Sequence, residues 1–313
     1  NSATYSATPG TTNQPLVIGR WYGNYNDYYT DGKIDQVRIF NKAISAAEVT
    51  TLYNEIQCAN AITAPEDYFN TVLYTGNAST NAITNSANAG DFQPDWVWLK
   101  SRNSATHHRL YDSSRGALKN LISSASNTEA TTANSLTSFD SNGFTLGSDD
   151  NSNQSSKTFV GWQWKANGGT TSSNSNGSIT STVQVNDTAG FSIVLYTGNE
   201  TAGATIGHGL SAAPDVIIVK NRDTNRTWLF GHQAYVGNNA ENIRLNSTMA
   251  VTSADSQANS GWNRTVFGSS TFTVGNGIDG DFSSSTNNGT DDHVAYCFRE
   301  IKGYSKFGSY TGN

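Results

Sequence analysis

Three pairs of carboxylates have residue types and spacing that could support catalysis or metal binding. They occur at Asp149-Asp150, at Asp279 with Asp281, and at Asp291-Asp292. Two carboxylates held together can cleave a glycosidic bond or bind calcium. All three pairs lie in stretches rich in Gly, Asn and Ser, where acidic side chains are more often solvated turn residues. We therefore favour a turn role, with the catalytic or calcium role as the alternative.

Histidines offer little more for catalysis or metal binding. His107 and His108 are adjacent and would point to opposite faces of a strand, a poor arrangement for holding one ion. His208 and His232 are interpreted as structural hydrogen-bonding residues, with a ligand role as the alternative. The motifs G-x-S-x-G, H-E-x-x-H and G-x-x-x-x-G-K-[ST] are all missing from the sequence. We predict a protein that is not an enzyme, with no catalytic residue, no metal site and no cofactor.

Two pairs of tryptophans have the spacing of one strand face. Trp96 and Trp98 are two residues apart, as are Trp162 and Trp164, so each pair would point to one side of its strand. Such rings can stack on sugars. They can equally fill a core, and we favour core packing because the second pair aligns with other large aromatic residues further along the chain.

A third aromatic group lies in the polar stretch WYGNYNDYYTDG. The ligand-binding residues predicted here are Trp21, Tyr22, Tyr25, Tyr28 and Tyr29. Tyrosine suits a contact loop because it combines apolar area with a hydroxyl group. The alternative is that these rings cover the edge of a sheet or pack on an earlier part of the same domain.

A repeated tetrapeptide indicates which elements position these residues. YTGN occurs at Tyr74–Asn77, Tyr196–Asn199 and Tyr310–Asn313. Further blocks follow the first two copies in the same order: FQPDWVWLKSRN with SAAPDVIIVKNRD, FDSNGFTLGS with FGSSTFTVGN, and TFVGWQWKA with DHVAYCFRE. The last match places Trp162 and Trp164 opposite Tyr296 and Phe298. The order predicts an internal duplication.

The sequence predicts an all-β fold of tandem β-sandwich domains that follow the end of a jelly roll. The predicted segments are an incomplete jelly roll at 1–60, sandwich repeats at 66–167 and 177–309, and the start of a truncated third repeat at 310–313. The stretch Gly168–Ser178 is rich in Gly, Ser and Asn and is predicted to be a flexible linker or long loop.

Local patterns predict individual elements. Lys33–Phe40 alternates like a half-buried strand, and Ser45 with Glu48 forms a capping box for a short helix. The continuous apolar runs 96–99 and 216–219 predict strands buried on both faces. Asn142-Gly143 predicts a hairpin with a type I′ turn.

Composition limits the partners. The chain has 313 residues, of which 35% are hydrophobic and 14% charged, with a net charge of −6 and 29 glycines. This is typical of a turn-rich extracellular or particle-surface protein. Lys and Arg form no cluster, so no nucleic-acid binding is expected, and no apolar run is long enough for membrane insertion. Cys58 and Cys297 are predicted to be separate buried thiols.

Two resemblances follow from longer phrases. GKIDQVRIFNKAISAAEVTTLYNE resembles the end of a laminin-G or pentraxin-like jelly roll of the concanavalin A type. Three further stretches resemble tandem repeats of tail-fibre and other virion surface proteins of marine tailed bacteriophages. They are FQPDWVWLKSRN, WQWKANGGTTSSNSNGSITSTVQVNDTAGFSIVLYTGN and IGHGLSAAPDVIIVKNRD. The second resemblance covers about residues 66–313.

The resemblances imply a non-enzymatic virion structural protein, a tail fibre or capsid-surface appendage involved in host adhesion. Its expected location is the virion surface, outside the cell. The expected partners are other virion proteins, further copies of the chain in a homo-oligomer, and a host-surface glycan. A secreted bacterial carbohydrate-binding or adhesin repeat protein is the alternative. A tailspike-type polysaccharide depolymerase ranks third, since it needs carboxylates that converge in a groove.

Overall fold

The computed structural model describes residues 40–49, 62, 64–85, 91–236, 241–253, 257, 259–278 and 280–310. Backbone contacts divide the chain into two units, Asn1–Ala59 and Asn60–Asn313. In the first unit, residues 46–49 are helical, and the expected capping box is confirmed. Ser45 N donates to Glu48 Oε2 at 2.7 Å, and Glu48 N donates to Ser45 Oγ at 3.2 Å. The predicted strand Lys33–Phe40 lies almost wholly outside the described residues.

The regular secondary structure of the second unit is mostly antiparallel strands with few helices, which confirms the all-β prediction. Residues 66–167 are here called the first half. A 3₁₀ turn, Pro65–Asp67, lies at its start. The elements that follow are β1 (Phe69–Thr75), β2 (Asn81–Thr84), β3 (Trp96–Ser101), β4 (Arg109–Asp112), β5 (Lys119–Asn120), β6 (Ala130–Thr131), β7 (Leu136–Asp140), β8 (Gly143–Leu146), α1 (Asp150–Asn153) and β9 (Thr158–Trp164).

Residues 177–309, the second half, follow a short strand β10 (Ser172–Asn174). They contain β11 (Ser181–Asn186), β12 (Phe191–Thr197), β13 (Thr205–Gly207), β14 (Val216–Asn221), β15 (Leu229–His232), β16 (Glu241–Arg244), β17 (Thr252–Ser253), β18 (Thr271–Thr273), α2 (Gly280–Asn287) and β19 (Asp292–Phe298).

The two main sheets have the same strand order. In the first half the order is β1-β9-β3-β4. In the second half an eight-stranded sheet, β10-β11-β12-β19-β14-β15-β16-β17, contains β12-β19-β14-β15 in the corresponding places. The smaller pair β2-β8 likewise corresponds to β13-β18. The register agrees with the sequence alignment, because Trp98 pairs with Trp162 where Ile218 pairs with Tyr296.

Three apolar clusters form between four layers. One lies between the first sheet and the β2-β8-β7 sheet, and it includes Val97, Leu99 and Phe144. Another lies on the far side of the eight-stranded sheet, beneath β13, β18 and α2. The middle cluster joins the halves, since it contains Trp96 and Leu110 together with residues such as Tyr296.

This shared middle cluster changes the expected domain organisation. The predicted boundaries 66–167 and 177–309 each enclose one main sheet apart from β10, but the two sheets share the middle cluster. The face of the first sheet that carries Trp96 is apolar, and the second sheet covers part of it. The two halves therefore lie within one compact unit.

The first two YTGN motifs make the same hydrogen bonds. Tyr74 Oη donates to the carbonyl of Ser152 at 2.7 Å, and Tyr196 Oη donates to that of Thr286 at 2.7 Å. Asn77 N donates to the side-chain oxygen of Asn153, and Asn199 N donates to that of Asn287. In the third motif, only Tyr310 is described, and its side chain is exposed. The motif thus fastens a strand end to the helix that precedes the last strand of its half.

Of the two alternatives predicted for Gly168–Ser178, a flexible linker or a long loop, the structure favours a loop, which contains one short strand and is fixed by hydrogen bonds. The buried carboxylate of Asp95 accepts hydrogen bonds from Gly168 N at 2.9 Å and from Gly169 N at 2.8 Å. Residues 172–174 then form β10. Backbone pairing and a buried anion hold the stretch in place, which its composition could not indicate.

Other local predictions have mixed outcomes. The apolar runs 96–99 and 216–219 are strands, as expected. The hairpin at β7 and β8 forms, but Asp140 pairs with Gly143, so its loop is 141–142. Of these loop residues and Gly143, only Gly143 has positive φ, so the turn is not type I′. Cys297 is a buried free thiol whose pKa burial raises to about 12, whereas Cys58 lies outside the described residues.

Candidate functional site

A single face of the first sheet carries all four of its tryptophans. Alternation along β3 sends Trp96 and Trp98 to one side, and alternation along β9 sends Trp162 and Trp164 to the same side. The register sets Trp96 opposite Trp164 and Trp98 opposite Trp162. The sheet therefore concentrates four indoles in a square on one surface.

Three of these indoles form an open cleft with a histidine. The cleft has a volume of about 310 Å³ and is lined by Trp98, His108, Trp162 and Trp164. The ring centroids of Trp98 and Trp162 lie 6.3 Å apart at an angle of 82°. The histidine ring lies 5.8 Å from Trp98 at 77°. All four side chains are half-buried, so flat apolar surfaces face solvent at steep angles to one another. We call this site the Trp cleft.

His108 provides the polar side of the Trp cleft. Trp98 Nε1 donates to His108 Nδ1 at 2.8 Å, so the proton of the neutral imidazole belongs on Nε2. Partial burial lowers the pKa of His108, and the positive charges of Lys100 and His107 lower it further. The ring is therefore neutral at pH 7, with an N–H donor at Nε2 that bonds to no described residue.

The Trp cleft is open because the two main sheets overlap only in part. Trp96 is buried against Tyr296, at a centroid separation of 4.3 Å. Tyr296, which occupies the position that corresponds to Trp162, is fully buried. Trp162 is half-buried and lies outside the three apolar clusters. The prediction that Trp162 packs in a core was wrong, since the second sheet covers its neighbours but not this residue.

A second cavity lies beside the Trp cleft and is lined by residues of both halves. It has a volume of about 450 Å³ and shares two walls, Trp98 and Trp164, with the cleft. Its other lining residues are Phe69, Trp96, Ala189, Phe191, Val216, Ile218, Phe230, Phe298, Tyr304, Ser305, Lys306 and Phe307. We call it the inner cavity.

Several of the other chemical candidates make hydrogen bonds within the fold, whereas Asp279 lies outside the described residues. Asp291 accepts hydrogen bonds from Asn221 and Asn288, and Asp149 accepts one from Ser152. His208 Nδ1 accepts from Leu210 N at 3.1 Å. Among the described residues, no group of three or more His, Cys, Asp or Glu side chains could hold a metal ion.

The contact residues expected from the sequence cannot be placed. Trp21, Tyr22, Tyr25, Tyr28 and Tyr29 all lie outside the described residues. The Trp cleft was not predicted as a site, although the spacing of its tryptophans indicated a common face. Which part of that face stays open depends on how the second sheet covers it, and His108 gave no sequence signal at all.

The fold and the cleft define a class of protein: stacked antiparallel sheets that expose a cluster of aromatic side chains on one face. A family model described as a domain of unknown function, DUF7483, matches residues 64–313. The chain therefore belongs to that family.

The N-terminal segment has a separate relationship. Residues 1–50 match a model of the concanavalin A-like lectin/glucanase superfamily, which confirms the expected jelly-roll segment. Neither the curated proteins nor the solved structures contain a match. Within the described residues, the helices are all too short or too polar to cross a bilayer.

Proposed function

We propose that this protein is a non-enzymatic adhesive surface protein that binds saccharides in the Trp cleft. The observation that carries the proposal is the convergence of three half-exposed indoles with the Nε2–H donor of His108. Pyranose rings have C–H faces that pack on aromatic rings, and hydroxyl groups at their edges that need hydrogen-bond partners. Steeply inclined indoles with one donor between them fit both properties.

The size and exposure of the Trp cleft indicate modest affinity at each site. An open cleft of this volume covers only one or two sugar rings, so much of the ligand remains in water. Adhesion then depends on many copies acting together, because multivalent attachment raises avidity without new contacts. Such a site suits attachment to a surface better than capture of a free sugar.

We place this activity on a virion, in a tail fibre or capsid-surface appendage with other virion proteins and further copies of the chain as partners. The phrases shared with phage tail-fibre repeats support this location. The equal strand order and the matched YTGN hydrogen bonds support an internal duplication, which is a common way to build long surface proteins. A secreted bacterial adhesin is the second candidate, and tail or capsid genes beside the gene would favour the virion.

Binding of saccharides to the purified chain tests the proposal. Oligosaccharides from an array are followed by titration calorimetry and by tryptophan fluorescence, with Trp162→Ala as the test variant. Tyr310→Ala is the control, because Tyr310 is an exposed aromatic residue that does not line the cleft. We expect the first variant to lose binding by at least tenfold and the second to bind like the parent.

Two results would overturn the proposal. One is equal binding by parent and Trp162→Ala, which would place the site elsewhere. The other is steady release of reducing ends from a bound polysaccharide, which would make the protein a hydrolase.

A further inference from the structure

We propose that the inner cavity holds a hydrocarbon chain attached to the saccharide, so that the ligand is an amphiphile with a sugar head group and an alkyl or acyl tail. This inference rests on the proposed function, since the head group is the part that the Trp cleft would bind.

The first argument is the adjacency of the two sites. Trp98 and Trp164 are walls of both the Trp cleft and the inner cavity. The two spaces therefore lie within one indole of each other, close enough for a sugar in the cleft and a substituent on it to occupy both. Trp164 also contacts Phe69, at a centroid separation of 5.0 Å, which continues the apolar wall inward.

The second argument is the chemistry of the lining. Twelve of the fourteen lining residues are aromatic or aliphatic, and the other two are Ser305 and Lys306. Lys306 Nζ donates to Glu300 Oε1 at 2.9 Å, and Ser305 Oγ donates to the carbonyl of Arg299. Both polar groups already have partners, and the lining adds one buried donor without a partner, Trp96 Nε1. A single N–H cannot satisfy the several hydroxyl groups of a sugar ring, so most of them would stay unsatisfied inside the cavity. A hydrocarbon chain carries no such groups.

The third argument is size. The volume of about 450 Å³ is within the usual range for small-ligand sites, and it is too large for one side chain or a single water molecule to fill. Burying one methylene group in such a cavity changes a dissociation constant about fourfold. Each added carbon of a tail should therefore strengthen binding until the cavity is full.

The test is a chain-length series of alkyl glycosides. The head group is the saccharide that binds best to the parent protein. Its methyl, butyl, hexyl and octyl glycosides are each titrated into the protein below the concentration at which they form micelles. We expect the dissociation constant of the parent protein to fall by roughly tenfold or more per two carbons until the cavity is full. A dissociation constant that does not depend on chain length would overturn the inference while leaving saccharide binding in place.

Two variants separate the head group from the tail. Ala189→Leu fills the inner cavity, because Ala189 is buried and lines it, and it should abolish the chain-length effect while the methyl glycoside binds as before. Trp162→Ala should weaken the whole series by one factor and leave the slope unchanged. If Ala189→Leu does not fold, Val216→Leu fills the same cavity.

Three further outcomes decide against the inference. A chain-length effect that persists in the filled variant means that the tails bind elsewhere. Loss of a self-associated form on addition of octyl glycoside, seen by sedimentation, means that a second copy of the chain occupies the cavity. Failure of every glycoside, methyl included, overturns the proposed function and this inference together.

Discussion

Trp96 stacks on Tyr296 with ring centroids 4.3 Å apart and planes at 19°. The first residue belongs to β3 and the second to β19, so this contact joins the two halves at the centre of their shared cluster. Tyr296 Oη also donates to the buried carboxylate of Asp112 at 2.6 Å. The interface thus combines aromatic packing with a hydrogen bond to a charged group.

Replacing Trp96 should destabilise both halves together. Trp96→Ala leaves a large cavity in the shared cluster, and we expect a loss of about 3–5 kcal/mol in the free energy of unfolding. Trp162→Ala removes a half-buried ring outside the clusters, so its loss should be clearly smaller. Chemical denaturation followed by circular dichroism measures both. Two separate transitions in Trp96→Ala, or equal losses in the two variants, would contradict the shared core.

The sequence predicted the strands better than their packing. The continuous apolar runs predicted β3 and β14, and the aligned blocks predicted the correspondence between Trp162 and Tyr296. They could not give the stacking of the two sheets, because an apolar strand face does not specify which surface covers it. The same limit hid the Trp cleft, since Trp162 and Tyr296 occupy equivalent strand positions and differ only in what lies above them.

Asn153 is expected to be essential for the YTGN anchor. Its Nδ2 donates to the carbonyl of Gly147 at 2.7 Å and its Oδ1 accepts from Asn77 N at 3.1 Å, with the side chain fully buried. Asn153→Ala leaves these backbone groups without partners, so we expect a loss of about 1–3 kcal/mol.

The control for this change is Asn127→Ala at an exposed position, where the effect should stay within about 0.5 kcal/mol. Thermal melts of the two variants give the comparison. An Asn153→Ala protein as stable as the control would show that the repeated tetrapeptide does not depend on its asparagine partner.

Acid should weaken the junction between the halves. Glu129 accepts from Arg115 Nη1 and from Arg222 Nε, each at 2.9 Å. Burial opposes the charge of this carboxylate, but the hydrogen bond from Arg222 and the charge of Arg115 outweigh it and lower the pKa from 4.5 to about 2. Because the folded state holds its proton less tightly, this stability is present above pH 4.5 and disappears as pH falls towards 2.

Glu129→Gln isolates this contribution. The parent should be more stable than the variant at pH 6, and the difference should shrink between pH 4.5 and 2 as the parent's carboxylate becomes protonated. Urea titrations across that window measure the difference, with Glu66→Gln at an exposed position as the control. A difference that is constant from pH 6 to pH 2.5 would assign the effect to packing rather than charge.

Lys220 should cost stability at neutral and acidic pH. Its side chain is fully buried, and Nζ donates to the carbonyl of Asn221 at 2.6 Å. Burial, together with the positive charge of Arg226, lowers the pKa of Lys220 from 10.5 to about 7. Between pH 7 and 10.5 the unfolded chain binds a proton that the folded chain does not, so stability rises with pH over that range.

Lys220→Met removes the buried charge and keeps an unbranched apolar side chain. We expect a gain of the order of 1–4 kcal/mol below pH 7, where the parent must bury an ammonium group, and a gain that declines towards pH 10.5.

Lys100→Met is the matched control. Lys100 occupies the corresponding position of β3 and donates to the carbonyl of Ser101 at 2.8 Å, but its side chain is only half-buried. Chemical denaturation of the three proteins at pH 6, 8 and 10 measures the free energy of unfolding of each variant relative to the parent. Equal responses of the two variants, or a loss of stability in Lys220→Met at pH 6, would mean that the backbone hydrogen bond outweighs the cost of burying the charge.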